Sequence, residues 1–235
     1  MEFGKILSKS IDDYKKNWEG MLTTSAYLIV FMIIRLFLSE LSDIFEVILD
    51  FFTIVVLIGA IYLCLKAARG EEFSVSDLFI GFKERTGRLL LLELLIGLFS
   101  FLWGLLLIIP GIIKGMAYSQ AFYIYLDNPE LTASECISES EDIMDGFKTD
   151  YFVLNLLFSL VLLLLFLPVI IFAAAINFFE LTDTVWIRII FRAWNYTLYP
   201  FFILFNTNFY LRLTLWDFSG KTEDTDRGLI EIKEN

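Results

Sequence analysis

A long apolar stretch, residues 89–126, constrains this chain of 235 residues more strongly than any other feature. As a single helix it would be about 57 Å long, almost twice the roughly 30 Å thickness of a bilayer's hydrocarbon core. Pro110 and Gly111 interrupt the stretch. Proline lacks an amide donor and glycine has no side chain to resist a sharp bend. We therefore predict a tight hairpin turn at this pair, between two membrane segments.

The composition independently indicates a membrane protein. Apolar residues make up 57% of the chain and the mean hydropathy is +0.69, whereas a soluble domain contains about 45–50% apolar residues. The net charge of −11 argues against a nucleic-acid partner, because binding phosphates requires a basic surface. The absence of histidine excludes an imidazole base or imidazole metal ligand. Cys64 and Cys136 are isolated and match neither a disulfide framework nor zinc-ligand spacing.

The apolar runs predict an all-α integral membrane protein with about six transmembrane helices within residues 21–216. Lysine and arginine cluster near the N-terminus and between the second and third spans. The positive-inside rule therefore places the N-terminus in the cytoplasm, and an even number of spans places the C-terminus there too. The fourth span is short and rich in aromatic residues, and we expect it to pack in the centre of the bundle. The predicted spans are residues 21–38, 47–65, 89–109, 112–126, 151–175 and 199–215.

Three segments outside the spans have predicted roles of their own. Residues 1–20 carry apolar side chains at helical spacing and are predicted to form an interfacial amphipathic helix that anchors the first span. Residues 132–147 are predicted to form a cytoplasmic amphipathic helix that begins with a capping box of Thr132 and Glu135. Its acidic face is expected to be solvated, with a protein partner as the alternative. Residues 217–235 form a polar, acidic tail.

Four motifs follow one another in the centre of the chain: an apolar IIPGI break, a segment rich in Tyr and Phe, a D-N-P-x-L-T-A turn, and an amphipathic helix ending in G-x-K. They occupy residues 108–112, 116–126, 127–133 and 134–148. This order resembles a family of bacterial multi-pass membrane proteins known as domain of unknown function 975. The resemblance extends to residues 16–18, 77–82 and 208–210. It implies a fold in a bacterial cytoplasmic membrane and no mechanism, because the family has no established activity.

Five polar residues in or beside the apolar runs are candidate ligand or ion residues. A charge near the bilayer centre costs between about 2.5 and more than 10 kcal/mol, so an intramembrane carboxylate indicates function unless it lies at the interface. Glu93 lies about one turn from Arg88. It either pairs there with Arg88 or Lys83 or has a proton- or ion-linked role. The candidates are Glu93, Arg188, Arg192, Asn206 and Asn208.

The other candidates also allow two interpretations. Arg188 and Arg192 lie in residues 186–198, which form either a helix at the outer interface or the start of the sixth span. In the second case both arginines are candidate ligands for an anion or a lipid phosphate. Asn206 and Asn208 either hydrogen-bond across helices or line a polar cavity.

The sequence contains no catalytic set, phosphate-binding loop, nucleotide motif or metal cluster. We therefore expect no enzymatic activity, cofactor or metal. The expected function is a non-enzymatic membrane binding or accessory component with membrane lipids as partners. The alternative is a small transporter or lipid-handling protein, which requires the five candidate residues to line one cavity. Lys114, just past the predicted turn, is expected to reach the outer headgroups.

Overall fold

The computed structural model describes residues 3–38, 43–82, 86–178 and 199–214, and these residues contain helices and no strand. A 3-10 helix, Val75–Phe82, lies between the third and fourth α-helices. Residues 199–214 are helical and are termed α9. The other helices are α1 (Phe3–Lys16), α2 (Trp18–Leu38), α3 (Asp43–Arg69), α4 (Thr86–Leu106), α5 (Ile108–Ala117), α6 (Ala121–Asp127), α7 (Ala133–Ile143) and α8 (Lys148–Phe178).

Two segments of the described chain are long and apolar enough to cross a membrane. They are Phe52–Arg69 of α3, which is 50% buried inside the protein, and Thr86–Leu106 of α4, which is 11% buried. A core helix of a soluble protein is mostly buried, whereas α4 exposes most of its apolar surface. The all-α fold is confirmed, and these two helices are compatible with membrane association. The number of six spans and the orientation of the termini stay predictions.

The α4–α5 pair forms an antiparallel hairpin. Phe99 packs beside Tyr118, and the Lys114 ammonium lies 5.3 Å from the centre of the Trp103 ring. A Cβ atom added to Gly111 would lie only 2.7 Å from the Cα of Gly104. The helices therefore approach closely just below the turn, where neither residue carries a side chain.

The turn of this hairpin lies at Leu107, three residues before the predicted position. Leu107 has extended backbone angles, φ −157° and ψ 135°, and precedes the first residue of α5. Pro110 and Gly111 lie inside the first turn of α5. The first amide groups of a helix have no acceptor within that helix, so a proline is tolerated at this position. The apolar break predicted from proline is therefore a helix start.

The predicted fourth span, residues 112–126, is not one continuous helix. The chain leaves the α-helical conformation at residues 118–120, between α5 and α6. The Ser119 hydroxyl donates to the Met116 carbonyl, 2.7 Å away, and such local bonds compete with the helical ladder. By contrast, the first, second and fifth predicted spans lie within α2, α3 and α8.

Helix α7 begins as predicted. The Thr132 hydroxyl accepts from the Glu135 amide, and the Glu135 carboxylate accepts from the Thr132 amide, so the capping box is confirmed. The buried side chains of α7 pack against α4 and α6. They recur at helical spacing and are Ala133, Cys136, Ile137 and Ser140.

Helix α1 is docked against the rest of the bundle. Ile6 is 2% exposed and belongs to an apolar cluster with residues of α8 and α9. The rings of Phe3 and Phe205 lie 6.0 Å apart, and those of Tyr14 and Phe201 lie 5.8 Å apart. The apolar face predicted to rest on lipid therefore packs largely against α9.

Replacement of Gly111 by alanine is expected to destabilise the hairpin. The new Cβ would overlap the Gly104 backbone, which cannot move aside as a flexible side chain can. Overpacking of this kind costs about 1–3 kcal/mol. Thermal unfolding of the detergent-purified protein measures the effect.

The matched control is Gly97→Ala in α4, since no heavy atom lies within 4 Å of a Cβ added there. That change is expected to be neutral or to stabilise the helix by up to about 1 kcal/mol. Equal melting temperatures for Gly111→Ala and the native protein would contradict the close packing of α4 on α5.

Candidate functional site

Ser140 of α7 inserts its hydroxyl group into the break between α5 and α6. The Ser140 hydroxyl donates to the Ala117 carbonyl at 2.6 Å and accepts from the Gln120 amide at 3.1 Å. Both Ser140 and Gln120 are completely buried. One side chain thus replaces the backbone hydrogen bonds that the break removes, as burial away from water requires.

Gln120 contributes a buried side-chain amide to this break. Its side-chain amide donates to the Ser119 hydroxyl at 2.8 Å. Among the described residues, no donor reaches the Gln120 Oε1 atom. The Tyr151 hydroxyl of α8 also lies close to Ser119. The break is therefore the meeting point of polar side chains from α7, α8 and the α5–α6 connection.

A second polar cluster surrounds Asp127 at the end of α6. Arg69 of α3 binds both oxygens of the Asp127 carboxylate, at 2.9 and 2.7 Å. The Tyr210 hydroxyl of α9 donates to the same carboxylate at 2.9 Å. The Tyr210 ring stacks on Tyr123 with a centroid distance of 5.0 Å. A bidentate guanidinium pair fixes orientation as well as distance, so Asp127 joins the ends of three helices.

Asn208, one of the candidate residues, joins α9 to α1. Its side-chain amide donates to the Ser10 hydroxyl at 3.2 Å and to the Asp13 carboxylate at 3.1 Å. Lys9 pairs with the same carboxylate at 2.6 Å. Asn208 is 3% exposed, so its contacts are interhelical, which agrees with the first of the two interpretations.

Asn206 makes a different contact. Its amide donates to the Phe202 carbonyl of its own helix at 2.9 Å, although the residue is only 6% exposed. No described residue donates to the Oδ1 atoms of Asn206 and Asn208. These two acceptors and Gln120 Oε1 are buried amide oxygens to which no described residue donates.

Glu93 lies on α4 and is half-buried. The predicted partner Arg88 instead donates to the Pro129 carbonyl at 3.4 Å. Within the described ranges no ion pair joins Glu93 to Arg88, and no hydrogen bond joins it to Asn206 or Asn208. The described candidates therefore make no direct hydrogen bond with one another. Lys83, Arg188, Arg192 and residues 186–198 lie outside the described residues, as does the tail at residues 217–235.

Lys114 forms a cluster of contacts that the sequence did not predict. Its ammonium group pairs with the Glu141 carboxylate of α7. It also lies over the rings of Trp103 and Tyr118, at 5.3 and 6.0 Å. Lys114 was expected at the outer headgroups, but it is joined to the helix that was expected in the cytoplasm. Residue spacing alone does not reveal a contact between side chains 27 positions apart.

The described carboxylates and thiols do not form a metal site. No group of three or more His, Cys, Asp or Glu side chains is placed to hold an ion within the described ranges. Cys64 and Cys136 are both buried free thiols. Burial, followed by the nearby carboxylates of Glu139 and Glu135, raises the pKa of Cys136 to about 11. A protonated, buried thiol is a poor nucleophile at neutral pH.

Comparison of the chain with protein-family models, curated proteins and solved structures finds no match.

Replacement of Ser140 by alanine is expected to lower the stability of the bundle. The substitution leaves the Ala117 carbonyl and the Gln120 amide without their partner in a buried position. Each unsatisfied group costs about 1–3 kcal/mol. Ser138→Ala, on the exposed face of the same helix, is the matched control. Thermal unfolding in detergent should separate the two variants, and equal melting temperatures would refute the role of Ser140.

The capping box is expected to make α7 sensitive to acid. Hydrogen bonds from the Thr132 amide and hydroxyl lower the pKa of Glu135 below its ordinary value of 4.5. This contribution to stability is therefore fully present above pH 4.5 and is lost as the pH falls through the lower, folded-state pKa. Glu135→Gln should flatten the loss of stability in this acid range.

The control for this acid prediction is Glu139→Gln, which leaves the capping box intact. Circular dichroism melts across the acid range measure both variants. An identical pH profile for Glu135→Gln and the native protein would show that the capping carboxylate does not contribute.

Proposed function

We propose that this protein is a multi-pass membrane protein of a bacterial cytoplasmic membrane that acts as a non-enzymatic binding or accessory component. The observation that carries the proposal is the exposed apolar surface of α4 and α8. Leu94 and Phe101 of α4 are 65% and 66% exposed, and Leu164 and Ile171 of α8 are each 61% exposed. Apolar patches of this extent mark membrane or protein contact surfaces.

The use of the polar side chains supports an accessory role. Asp127, Asn208 and Ser140 each connect two or more helices through hydrogen bonds within the protein itself. Groups engaged in this way specify helix packing. The resemblance to domain of unknown function 975 supports the bacterial membrane setting, because the motif residues Asn208, Tyr210 and Asp127 supply contacts between helices.

The proposal includes cytoplasmic N- and C-termini, together with the six-span count that the sequence predicts if the α4–α5 hairpin crosses the bilayer. Its partners are membrane lipids, together with a protein partner at the exposed acidic face of α7. That face carries Glu135, Glu139 and Asp142, which are all exposed. The orientation is supported by the cations near α1 and after α3, under the positive-inside rule.

Transport or lipid handling is a second candidate because of the buried acceptors. The Oδ1 atoms of Asn206 and Asn208 lack a donor among the described residues. A buried unsatisfied acceptor is costly, and a bound hydroxyl or ammonium group would satisfy it. This function also requires Glu93, Arg188 and Arg192 near the same place.

Membrane extraction is the direct test of the proposed location. The full chain, expressed in a bacterial host, is expected to remain in the membrane pellet after an alkaline carbonate wash and to dissolve only in detergent. Release into the supernatant by carbonate would refute an integral membrane protein.

Native mass spectrometry of the detergent-extracted protein then addresses the function. A retained lipid or protein partner is expected for a binding component. Asn206→Ala and Asn208→Ala are compared with the native protein. Loss of a bound solute or lipid in these variants alone would favour the transport or lipid-handling function over the accessory one.

A further inference from the structure

We infer that the α4–α5 hairpin enters one leaflet of the bilayer and returns to the side from which it came. This inference rests on the proposed membrane location, but not on the accessory role. It differs from the sequence prediction, in which residues 89–109 and 112–126 cross the bilayer as two spans.

The tip of the hairpin has an apolar surface that suits the hydrocarbon core of a bilayer. Five consecutive large apolar residues around the turn are 65–76% exposed. The sequence contains no charged residue between Glu93 and Lys114. A loop that emerges in water normally presents polar residues, whereas this one presents a continuous apolar surface. The five residues are Leu105, Leu106, Leu107, Ile108 and Ile109.

The position of the water boundary follows from the ion pair below the tip. Glu141, the partner of Lys114, lies on α7. The other face of α7 carries Glu135, Glu139 and Asp142, which are exposed. Ionised carboxylates are too costly to face lipid, so α7 must lie in water or among headgroups. The part of the hairpin at Lys114 therefore lies at the membrane surface.

The side chains around Lys114 are of the types that are common at a membrane surface. Its ammonium packs over Trp103 of α4 and Tyr118 at the end of α5. Tryptophan and tyrosine concentrate at membrane–water interfaces, and lysine reaches from apolar surroundings towards headgroups. These side chains mark one boundary on both helices of the hairpin.

Helix α8 changes from charged to apolar residues near this boundary, about 7 Å further from the tip than Lys114. Tyr151, in the first turn of α8, lies close to Ser119 just after α5. The residues before it include Lys148, which pairs with Asp145 at 3.1 Å. From Tyr151 to the end of α8 the sequence contains no charged residue. The change from charged to apolar residues in α8 thus occurs beside the α5–α6 break.

Beyond this boundary the hairpin is too short to cross the hydrocarbon core of the bilayer. Lys114 lies seven residues after Leu107, and seven helical residues extend about 10 Å. The hydrocarbon core is about 30 Å thick, so one leaflet contributes about 15 Å. The tip therefore ends within the leaflet that it enters.

The two sides of the α4–α7 unit explain the orientation of the hairpin. Leu89 and Leu92 of α4 are buried in the cluster that includes Cys136 of α7. The opposite side of α4 exposes Leu94 and Leu98, at 65% and 47%. One side of the unit is thus apolar and the other acidic. The apolar side rests on the membrane, so the hairpin enters obliquely and the 10 Å estimate is an upper limit of depth.

Depth-dependent quenching tests this inference on the full chain in proteoliposomes. Leu107→Cys carries a bimane fluorophore at the tip, and Ser138→Cys carries it on the exposed face of α7. Native Cys64 and Cys136 are buried and serve as unlabelled background. We expect lipids brominated at mid-chain to quench the tip fluorophore more strongly than lipids brominated near the headgroup, and neither lipid to quench the fluorophore on Ser138→Cys.

Labelling with a membrane-impermeant maleimide is the second measurement, in intact cells and in inside-out vesicles. We expect Ser138→Cys to react from one side only and the Leu107→Cys tip to remain unlabelled from both sides. Labelling of the tip from the side opposite to Ser138→Cys would show that the hairpin crosses. Labelling of both positions from the same side, without quenching, would show a hairpin in water. Both results overturn the inference and leave the carbonate test of membrane location unaffected.

Discussion

The break between α5 and α6 depends on a single buried hydroxyl group, and much of the bundle is arranged around it. Away from water, backbone groups released from a helix need new partners. Ser140 supplies one acceptor and one donor to the two ends of the break. To reach them, α7 must lie against α4 and α6, which also buries Cys136 and Ile137. The acidic face of α7 is thereby directed outward.

Interactions between distant parts of the sequence hold the remaining helices in place. Asp127 follows the aromatic segment, yet its partners Arg69 and Tyr210 lie 58 and 83 residues away. Asn208 contacts α1 across 195 to 198 residues. The residues that resemble a family motif are thus concentrated at helix junctions.

Local signals predicted local structure well. The capping box of Thr132 and Glu135 lies within four residues, so its geometry is decided by the helix it starts. The buried stripe of α7 likewise follows from helical periodicity. Pro110 was less informative, because a proline is compatible with both a turn and the first turn of a helix. The break at residues 118–120 was not predicted, because Ser140, which bonds to both of its ends, lies 20 and 23 residues away in the sequence.

The sequence by itself determined that this protein is helical and apolar, because long uncharged runs satisfy their backbone groups only as helices in a membrane. It also determined the start of α7 and the apolar face of α1. The tertiary structure decided what covers those faces and which charges meet. Lys114 and Glu141 illustrate the reason: each is an ordinary surface charge in the sequence, and only the packing of α7 beside the hairpin makes them a pair. The inferred position of the membrane surface along the hairpin rests on that pair and not on the Pro-Gly motif.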